Sequence, residues 1–367
     1  MRIVEVAAFA VDVPFSRGTY TMSGGRTLSS VATTVVRVTT DTGFVGYGEA
    51  GTGGSMYMEA FAGSVRAALD ELGPAVIGLD PAQPALVNAR LDATLRGHGP
   101  AKAAIDIACL DAAGHALGRP VADLLGGRFA ERVPVFDAIS LGTPDAMAEY
   151  ARNIRDAGIR RYQLKLGDNP AVDRERLAAV ADAVGGWDFM TCDANGGWTL
   201  AQATRMVHAI AEFDVFVEQP CLTLAEVASV RARTHLPVIV DEVIVTQAAL
   251  VDAINLGAAD GVNVKPSRVG GLTKAARLRD LAVSVGLSLV VDEAGGADIA
   301  QAAMVHLAAS TPPHHLLGCS STDGYALHLS GETRIRTSAG AAVLSDAPGL
   351  GITVDEALLG QPLRVFR

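Results

Sequence analysis

Six successive apolar segments of this 367-residue chain each end in an ionisable residue. In chain order these residues are Lys165, Asp193, Glu218, Asp241, Lys265 and Asp292. Their separations are nearly regular, at 28, 25, 23, 24 and 27 residues. When parallel strands close into a barrel with helices outside, the carboxyl ends of the strands meet at one rim, where catalytic groups lie. We therefore predict that these six side chains surround a single site.

The three acids in the middle of the series predict a metal site. Carboxylates that are held close together repel one another, and a bound cation removes that repulsion. Asp193, Glu218 and Asp241 offer only oxygen ligands, with no His or Cys nearby, which favours Mg²⁺ over zinc. We expect one Mg²⁺ per active site. Asn195, two residues beyond Asp193, could hold a water molecule on the metal or could simply be a turn residue.

Lysine is rare in this sequence, with four among 30 basic residues, so each lysine is a candidate base. Lys165 and Lys265 flank the acids, and facing each other across a cation would lower their pKa values. Lys102 and Lys274 are predicted to lie on the surface. A metal and two opposed amines suggest that one lysine removes the α-proton of a metal-bound carboxylate substrate. The other would reprotonate the opposite face (epimerisation) or assist loss of a β-hydroxyl (dehydration).

Eight strand-like segments must position these residues, and each is followed by a helical pattern. Within the second, Gln163 and Lys165 share one face, opposite Tyr162 and Leu164. Alternating apolar strands and helices predict an α/β fold with a parallel sheet, and eight units favour a closed TIM-type (β/α) barrel. An open doubly wound sheet is the alternative, but no GxGxxG follows the first strand. The segments cover 133–142, 161–167, 188–197, 214–220, 236–242, 260–266, 287–296 and 315–321.

The flanking parts of the chain predict a second, smaller domain. Strand patterns over 2–15 and 31–50 are separated by a polar segment, 16–30, that is long enough to be a mobile lid. Helical patterns follow near 58–77, 84–96 and 101–117. We expect an N-terminal α+β capping domain over 1–125, the barrel over 126–330, and a C-terminal segment, 331–367, that returns to the capping domain.

Composition excludes several classes of partner. The formal net charge is −10 and no dense Lys/Arg run offsets it, which argues against nucleic acid and anionic membranes as partners. The sequence has no uninterrupted apolar run of about 18 residues, so no membrane span is expected. Charges at Arg2, Glu5 and Asp12 interrupt any signal-peptide core, so a cytoplasmic location is expected. The four cysteines are widely spaced and are expected to be buried free thiols.

With these residues identified, the chain resembles the enolase superfamily, in particular the mandelate racemase/muconate lactonizing enzyme family of the muconate-lactonizing type. Gln163-Leu164-Lys165 matches the paired-lysine motif of that family, and "VNVKPSRVGGL" carries the second lysine, Lys265. The resemblance covers essentially the whole chain. It implies a modified TIM barrel with a capping domain, metal ligands at Asp193, Glu218 and Asp241, a small carboxylate substrate, and a homo-oligomer (dimer or octamer).

Two departures from the family pattern bear on the substrate. Gln163 replaces the first lysine of Lys-x-Lys, as in members that act on proline derivatives. Dehydration of cis-3-hydroxy-L-proline is the preferred expectation, with proline-betaine or amino-acid epimerisation and muconate cycloisomerisation as alternatives. Those proline-type members tend to carry a Trp where this chain has Gly295. Asp292 and Glu293 could still meet a cationic amine or serve as structural partners.

Substrate contacts outside the barrel and other kinds of function remain open at the level of sequence. Tyr20 in the lid segment and Tyr57 in a nearby loop are candidate substrate contacts, although such residues often only pack. A lyase using a Schiff base on Lys165 or Lys265 is a different enzyme class, but it leaves the three acids unexplained. A catalytically inactive barrel is a third possibility, and the two intact lysines argue against it.

Overall fold

The computed structural model describes residues 1–321 and 323–367 and contains a small sheet and a large barrel. The small antiparallel sheet has the order β16–β1–β4–β5. Three long helices follow it in the chain, as the sequence patterns predicted, and a short fourth helix comes after them. The elements are β1 (Ile3–Pro14), β2 (Tyr20–Thr21), β3 (Thr27–Leu28), β4 (Ser30–Thr40), β5 (Val45–Ala50), α1 (Ala62–Val76), α2 (Pro84–Thr94), α3 (Gly99–Leu117) and α4 (Val121–Leu124), with β16 (Arg364–Phe366) at the end of the chain.

Strand β1 is buried on both faces, which places the small sheet between two apolar cores. Val6 and Ala8 pack in one core with helices α1 and α2, whereas Ala7 and Phe9 join the core that contains the barrel. This follows from the two-residue period of a strand, which sends successive side chains to opposite faces. The sheet with its helices therefore forms a cap that packs directly on the barrel.

Eight parallel strands form the closed barrel that the sequence predicted, and the open-sheet alternative is wrong. The last strand pairs with the first at Cys319↔Val135 and Ser320↔Phe136, which closes the ring. The strands are β6 (Arg132–Ile139), β7 (Arg161–Lys165), β8 (Phe189–Asp193), β9 (Phe216–Glu218), β10 (Val238–Val240), β11 (Gly261–Val264), β12 (Ser288–Val291) and β13 (Leu316–Ser320). The helices are α5 (Pro144–Asp156), α6 (Pro170–Val184), α7 (Leu200–Ala209), α8 (Leu224–Arg231), α9 (Gln247–Asn255), α10 (Pro266–Val269), α11 (Leu272–Ser284) and α12 (Asp298–Ala309).

The barrel interior is packed by a separate apolar cluster. Phe136, Phe189, Ile239 and Val290 are each at most 3% exposed and form this cluster. They come from β6, β8, β10 and β12, the alternate strands that contribute one layer of side chains in such barrels. The layer gives the polar residues nearer the carboxyl ends of the strands a dry base.

The C-terminal tail contacts both the barrel and the cap. Strands β14 (Thr337–Ser338) and β15 (Ala341–Val343) extend the barrel sheet, with β15 antiparallel to β6. Several other parts of the tail reach the cap. Arg37 of β4 pairs with Glu356 at 2.8 Å, and Val365 of β16 pairs with Ala7 of β1.

The prediction that Lys102 and Lys274 lie on the surface is wrong for Lys102. Its residue is 3% exposed, because helix α3 is buried around its whole circumference over Pro100–Gly114. The Lys102 Nζ reaches the Asp92 carboxylate at 2.8 Å, and Lys274 Nζ shares that carboxylate at 2.7 Å. All four cysteines are buried free thiols, as expected. In the described part of the chain, no helix is long and apolar enough to cross a membrane.

Candidate active site

The barrel brings the predicted rim residues together. Strand register places Lys165 beside Asp193, and Asp193 beside Glu218, across β7, β8 and β9. Asp241 directly follows β10 and Lys265 directly follows β11. All five are buried, with Lys165 the most exposed at 5%. The alternation in β7 that puts Tyr162 and Leu164 into the surrounding core therefore turns Lys165 into the barrel mouth.

Glu218 lies in a polar layer inside the barrel, and Gln163 is one of its hydrogen-bond donors. The Gln163 Nε2 donates to Glu218 Oε2 at 3.0 Å, and Asn263 Nδ2 donates to Oε1 at 2.7 Å. These three residues come from β7, β9 and β11, which alternate with the strands of the apolar layer. Asn263 was missed at the level of sequence, although it stands two residues before Lys265 on the same strand face.

Asp241 accepts contacts from both the barrel and the cap. Its Oδ2 receives the Lys265 Nζ at 2.8 Å and the Tyr57 hydroxyl at 2.9 Å. Arg268 forms an ion pair with Oδ1, and its Nη2 donates to the Tyr57 hydroxyl at 2.7 Å. Arg268 was not predicted from the sequence either, although its position three residues after Lys265 could have indicated it. That spacing puts it about one helical turn after Lys265, at the third of the four residues of α10.

Asp193 is held by Lys165 and by the turn that follows it. Lys165 Nζ forms an ion pair with Oδ2, while the Asn195 amide nitrogens, backbone and side chain, donate at 2.8 and 2.9 Å. Asn195 has a φ of 45°, in the left-handed region where Asn is tolerated better than most residues. Its Nδ2 also donates to Glu242 Oε1 at 2.9 Å. Glu242 is thus a further acid at this rim, next to Asp241 in sequence.

The acids create a strongly negative site. Burial raises the pKa of Glu218 to about 8, and repulsion from Asp193 and Asp241 acts in the same direction. Burial and the same two neighbours raise the pKa of Glu242 to about 7. Each shift means that ionising another carboxylate here is unfavourable unless positive charge is added.

The carboxylates beside the two lysines raise the pKa values of both amines. Burial alone would lower the pKa of Lys165, but attraction to Asp193, together with Tyr20 and Glu218, outweighs it and holds the pKa well above its usual value. The pKa of Lys265 is raised in the same way by Asp241 and Asp292. A cation bound by these carboxylates would act in the opposite direction, because a neighbouring positive charge disfavours the ammonium form.

The side chains at this rim fit a divalent cation in donor chemistry. Among the described residues, no three acidic, His or Cys side chains converge as a ready-made metal cage. Asp193 and Asp241 are instead paired with protein cations, and Glu218 accepts from amides. Two buried oxygens nearby, Asn195 Oδ1 and Glu242 Oε2, have no hydrogen-bond partner. An all-oxygen set with excess negative charge and unused acceptors suits Mg²⁺.

A cavity of about 400 Å³ opens above these groups, between the barrel mouth and the cap. The acids Asp193, Glu218 and Asp241 are completely buried beneath it. The seven remaining predicted residues other than Asn195 line its wall. They are Tyr20, Tyr57, Gln163, Lys165, Lys265, Asp292 and Glu293.

The loop after β12 places two carboxylates at one side of the cavity. Asp292 pairs with Lys265 Nζ at 2.9 Å, and Glu293 accepts from the backbone amides of Ser267 and Ala294 at 3.1 and 2.9 Å. Burial raises the pKa of Glu293 to about 7. Asp292 is therefore a partner of Lys265, while both carboxylates still face the cavity.

A side chain at Gly295 would be strained by the backbone conformation and would crowd two neighbouring side chains. Its φ is +87°, and a Cβ at this position would lie 2.9 Å from Val31 Cγ2 and 3.2 Å from the Tyr325 hydroxyl. Tyr325 itself lines the cavity and stacks on Phe15 with ring centroids 5.2 Å apart. Gly295, the residue that departs from the family pattern, therefore lies beside the aromatic side chain of Tyr325.

Comparison with known proteins agrees with this geometry over both units. Residues 4–126 match the family model for the mandelate racemase/muconate lactonizing enzyme N-terminal domain, and residues 146–358 match the enolase C-terminal domain-like model. A cis-3-hydroxy-L-proline dehydratase of Roseibium aggregatum is 40% identical over 99% of both chains. An N-succinyl-L-Arg/Lys racemase of Bacillus cereus is 30% identical over 100% of this chain and 99% of its own.

Solved structures give the same result at the level of the fold. The crystal structure of a mandelate racemase/muconate lactonizing enzyme from Roseovarius nubinhibens ISM, complexed with magnesium, superposes with a TM-score of 0.97. It is 38% identical to this chain, and the match covers 100% of both. The chain therefore belongs to the mandelate racemase/muconate lactonizing enzyme family of the enolase superfamily, and it is an enzyme.

Proposed function

We propose that this enzyme removes the α-proton of a small amino or imino acid in a Mg²⁺-dependent reaction, and that its substrate is cis-3-hydroxy-L-proline. The observation that supports the proposal most is the pair of buried lysines at the barrel mouth. Lys165 contacts Asp193 and Lys265 contacts Asp241, with a cavity of about 400 Å³ above them. The 40% identity to a cis-3-hydroxy-L-proline dehydratase over nearly the whole chain supports the choice of substrate.

Asp193, Glu218 and Asp241 would hold one Mg²⁺ ion per active site, with Asn195 and Glu242 beside them. When bound, the ion would supply the positive charge that stabilises the enediolate formed as the α-proton leaves. The hydrogen bonds from Gln163 and Asn263 fix the Glu218 carboxylate in one orientation. These two amides would therefore position the proposed ligand without themselves carrying charge.

The two lysines would divide the proton transfers. One neutral amine takes the α-proton, and the electron pair of the C–H bond moves into the carboxylate. For dehydration, that pair then forms the α,β double bond as the β-hydroxyl leaves, protonated to water by an ammonium group. For epimerisation, the second lysine instead returns a proton to the opposite face of the α-carbon.

The carboxylates of Asp292 and Glu293, on the cavity wall, suit a substrate that carries a positive charge. Asp292 and Glu293 line the wall next to Lys265, and Tyr20 and Tyr325 add aromatic surface. A secondary ammonium group placed there would be paired with a carboxylate, while the substrate carboxylate points to the acids below. Muconate is a dicarboxylate with no positive charge to pair with Asp292 and Glu293, so muconate cycloisomerisation is the weaker candidate.

Proton NMR in D₂O tests the proposal directly. The panel is cis-3-hydroxy-L-proline, trans-4-hydroxy-L-proline, L-proline, the betaine of proline, an N-succinyl amino acid and muconate, each with Mg²⁺ or with EDTA. We expect loss of the ring hydroxyl from cis-3-hydroxy-L-proline only with Mg²⁺. α-Deuteration of cis-3-hydroxy-L-proline without elimination would instead establish an epimerase. Activity that survives EDTA, with covalent trapping of the substrate by borohydride, would replace the proposal with Schiff-base chemistry.

A further inference from the structure

We propose that Arg17, Asp137 and Tyr150 form a gate at the outer end of the substrate cavity, and that this gate restricts the enzyme to compact substrates. The inference rests on the proposed function, since it concerns the substrate of the same site. It assigns a specificity-determining role to three residues that lie away from the lysines and the acids.

All three residues line the cavity, and the exposure of Arg17 places them at its boundary with solvent. The Arg17 side chain is 47% exposed, whereas that of Asp137 is 12% exposed. A side chain that contributes to the cavity wall and is also half exposed must stand where the cavity meets water. Asp137 lies just inside this point.

The contacts among the three residues are well oriented but long. Arg17 Nη1 and Nη2 each lie 3.5 Å from one carboxylate oxygen of Asp137, the parallel arrangement of a bidentate pair. The guanidinium carbon lies 4.5 Å above the Tyr150 ring, and the Tyr150 hydroxyl donates to Asp137 Oδ1 at 3.1 Å. A tight pair of this kind measures about 2.7–2.9 Å. The gate is therefore closed by weak contacts that can open.

The gate joins the lid to the barrel. Arg17 lies in the segment between β1 and β2, Asp137 on barrel strand β6, and Tyr150 on helix α5. Four residues further along the lid, the Thr21 amide donates to Ser140 Oγ at 2.8 Å, and Thr21 O accepts from the Leu141 amide at 2.9 Å. Further attachments hold the lid near its two ends, where the Ser16 amide donates to Gly324 O at 3.1 Å and Arg26 Nη2 donates to Asn195 O at 3.2 Å. Unlike these bonds, the Arg17 contact joins two side chains.

A substrate with a long N-acyl arm would have to displace this contact, whereas a ring-sized imino acid would not. Arg17 and Tyr150 together occupy the exit from the cavity, so truncating either side chain should lengthen the available space. Compact substrates depend on the lysine end of the cavity and should respond less. The gate therefore predicts a change in the ratio of rates for long and short substrates, which a general loss of stability would not produce.

The test compares kcat/KM for cis-3-hydroxy-L-proline with the rate of α-proton exchange for an N-succinyl amino acid. We expect Arg17→Ala and Tyr150→Ala each to shift the ratio by at least about tenfold towards the N-succinyl compound, because each removes a steric and a polar contact. Arg174→Ala is the matched control: its side chain is 45% exposed and pairs with Glu212 on the barrel surface. Ratios within twofold of wild type in both gate variants would overturn the proposal.

Hydrogen exchange measured by mass spectrometry provides a readout that needs no substrate. We expect Arg17→Ala to speed amide exchange over residues 15–26 at least severalfold, and Arg174→Ala to leave it unchanged. Equal exchange of this segment in wild type and Arg17→Ala would refute the gate. If wild type turned over none of the panel substrates, the proposed function would fail, and the exchange experiment would still decide whether Arg17 holds the lid.

Discussion

A single methyl group at Gly51 should disable the active site from the capping side. Gly51 follows strand β5, and a Cβ at this position would lie 1.9 Å from the Gly295 carbonyl oxygen. An ordinary contact begins near 3.4 Å, so the loop of residues 292–296 would have to move by about 1.5 Å. That loop carries Asp292 and Glu293. Displacements of about 1 Å at catalytic groups cost roughly 10²-fold in rate.

We therefore expect Gly51→Ala to lower kcat by about 100-fold, with a loss of unfolding free energy of about 1–3 kcal/mol from overpacking. Steady-state kinetics and urea denaturation measure the two effects separately. Gly63→Ala is the matched control, because its added methyl would meet only the ring of Phe61, which is 54% exposed and free to turn. A Gly51→Ala enzyme with wild-type kcat would refute the conclusion that backbone contact between cap and barrel positions this loop.

Three further predictions concern stability, each measured by urea denaturation. His306 is buried, accepts from the Ala122 amide at 3.0 Å, and has its pKa lowered by burial to about 4 from 6.5. The unfolded chain therefore binds this proton first, so wild type should lose up to about 3 kcal/mol more than His306→Gln as pH falls from 7 to 4. Phe136→Ala should cost about 3–5 kcal/mol by opening a cavity in the barrel layer. Lys102→Met should change stability by no more than about 1 kcal/mol, because an apolar group of similar size replaces a buried ion pair whose partner, Asp92, is half exposed.

The strand ends could be predicted from sequence because they depend on local pattern. Each barrel strand is a short apolar segment, and the polar residue that terminates it must lie at the rim once the strands are parallel. Lys165, Asp193 and Glu218 are neighbours in the sheet for this reason alone. Predicting the closed ring required one further inference, that eight strand–helix units form a closed TIM-type barrel.

Residues that act through distant partners could not be found in this way. Arg268 matters because Tyr57, 211 positions earlier, approaches the same carboxylate from the cap. Arg17 and Asp137 are likewise 120 residues apart. Lys102 was misassigned because a helical pattern reveals one apolar face but not that neighbouring elements cover every face of α3. These contacts are set by how the cap docks on the barrel, which no local pattern records.

The proposed chemistry depends most on two amines that act on opposite faces of one α-carbon. α-Proton exchange of L- and D-proline in D₂O with Mg²⁺, measured in Lys165→Ala and Lys265→Ala, tests this claim most directly. We predict that each variant loses exchange of one enantiomer by about 10³-fold, and that the two variants lose opposite enantiomers. Near wild-type exchange of both enantiomers in either variant would contradict the account.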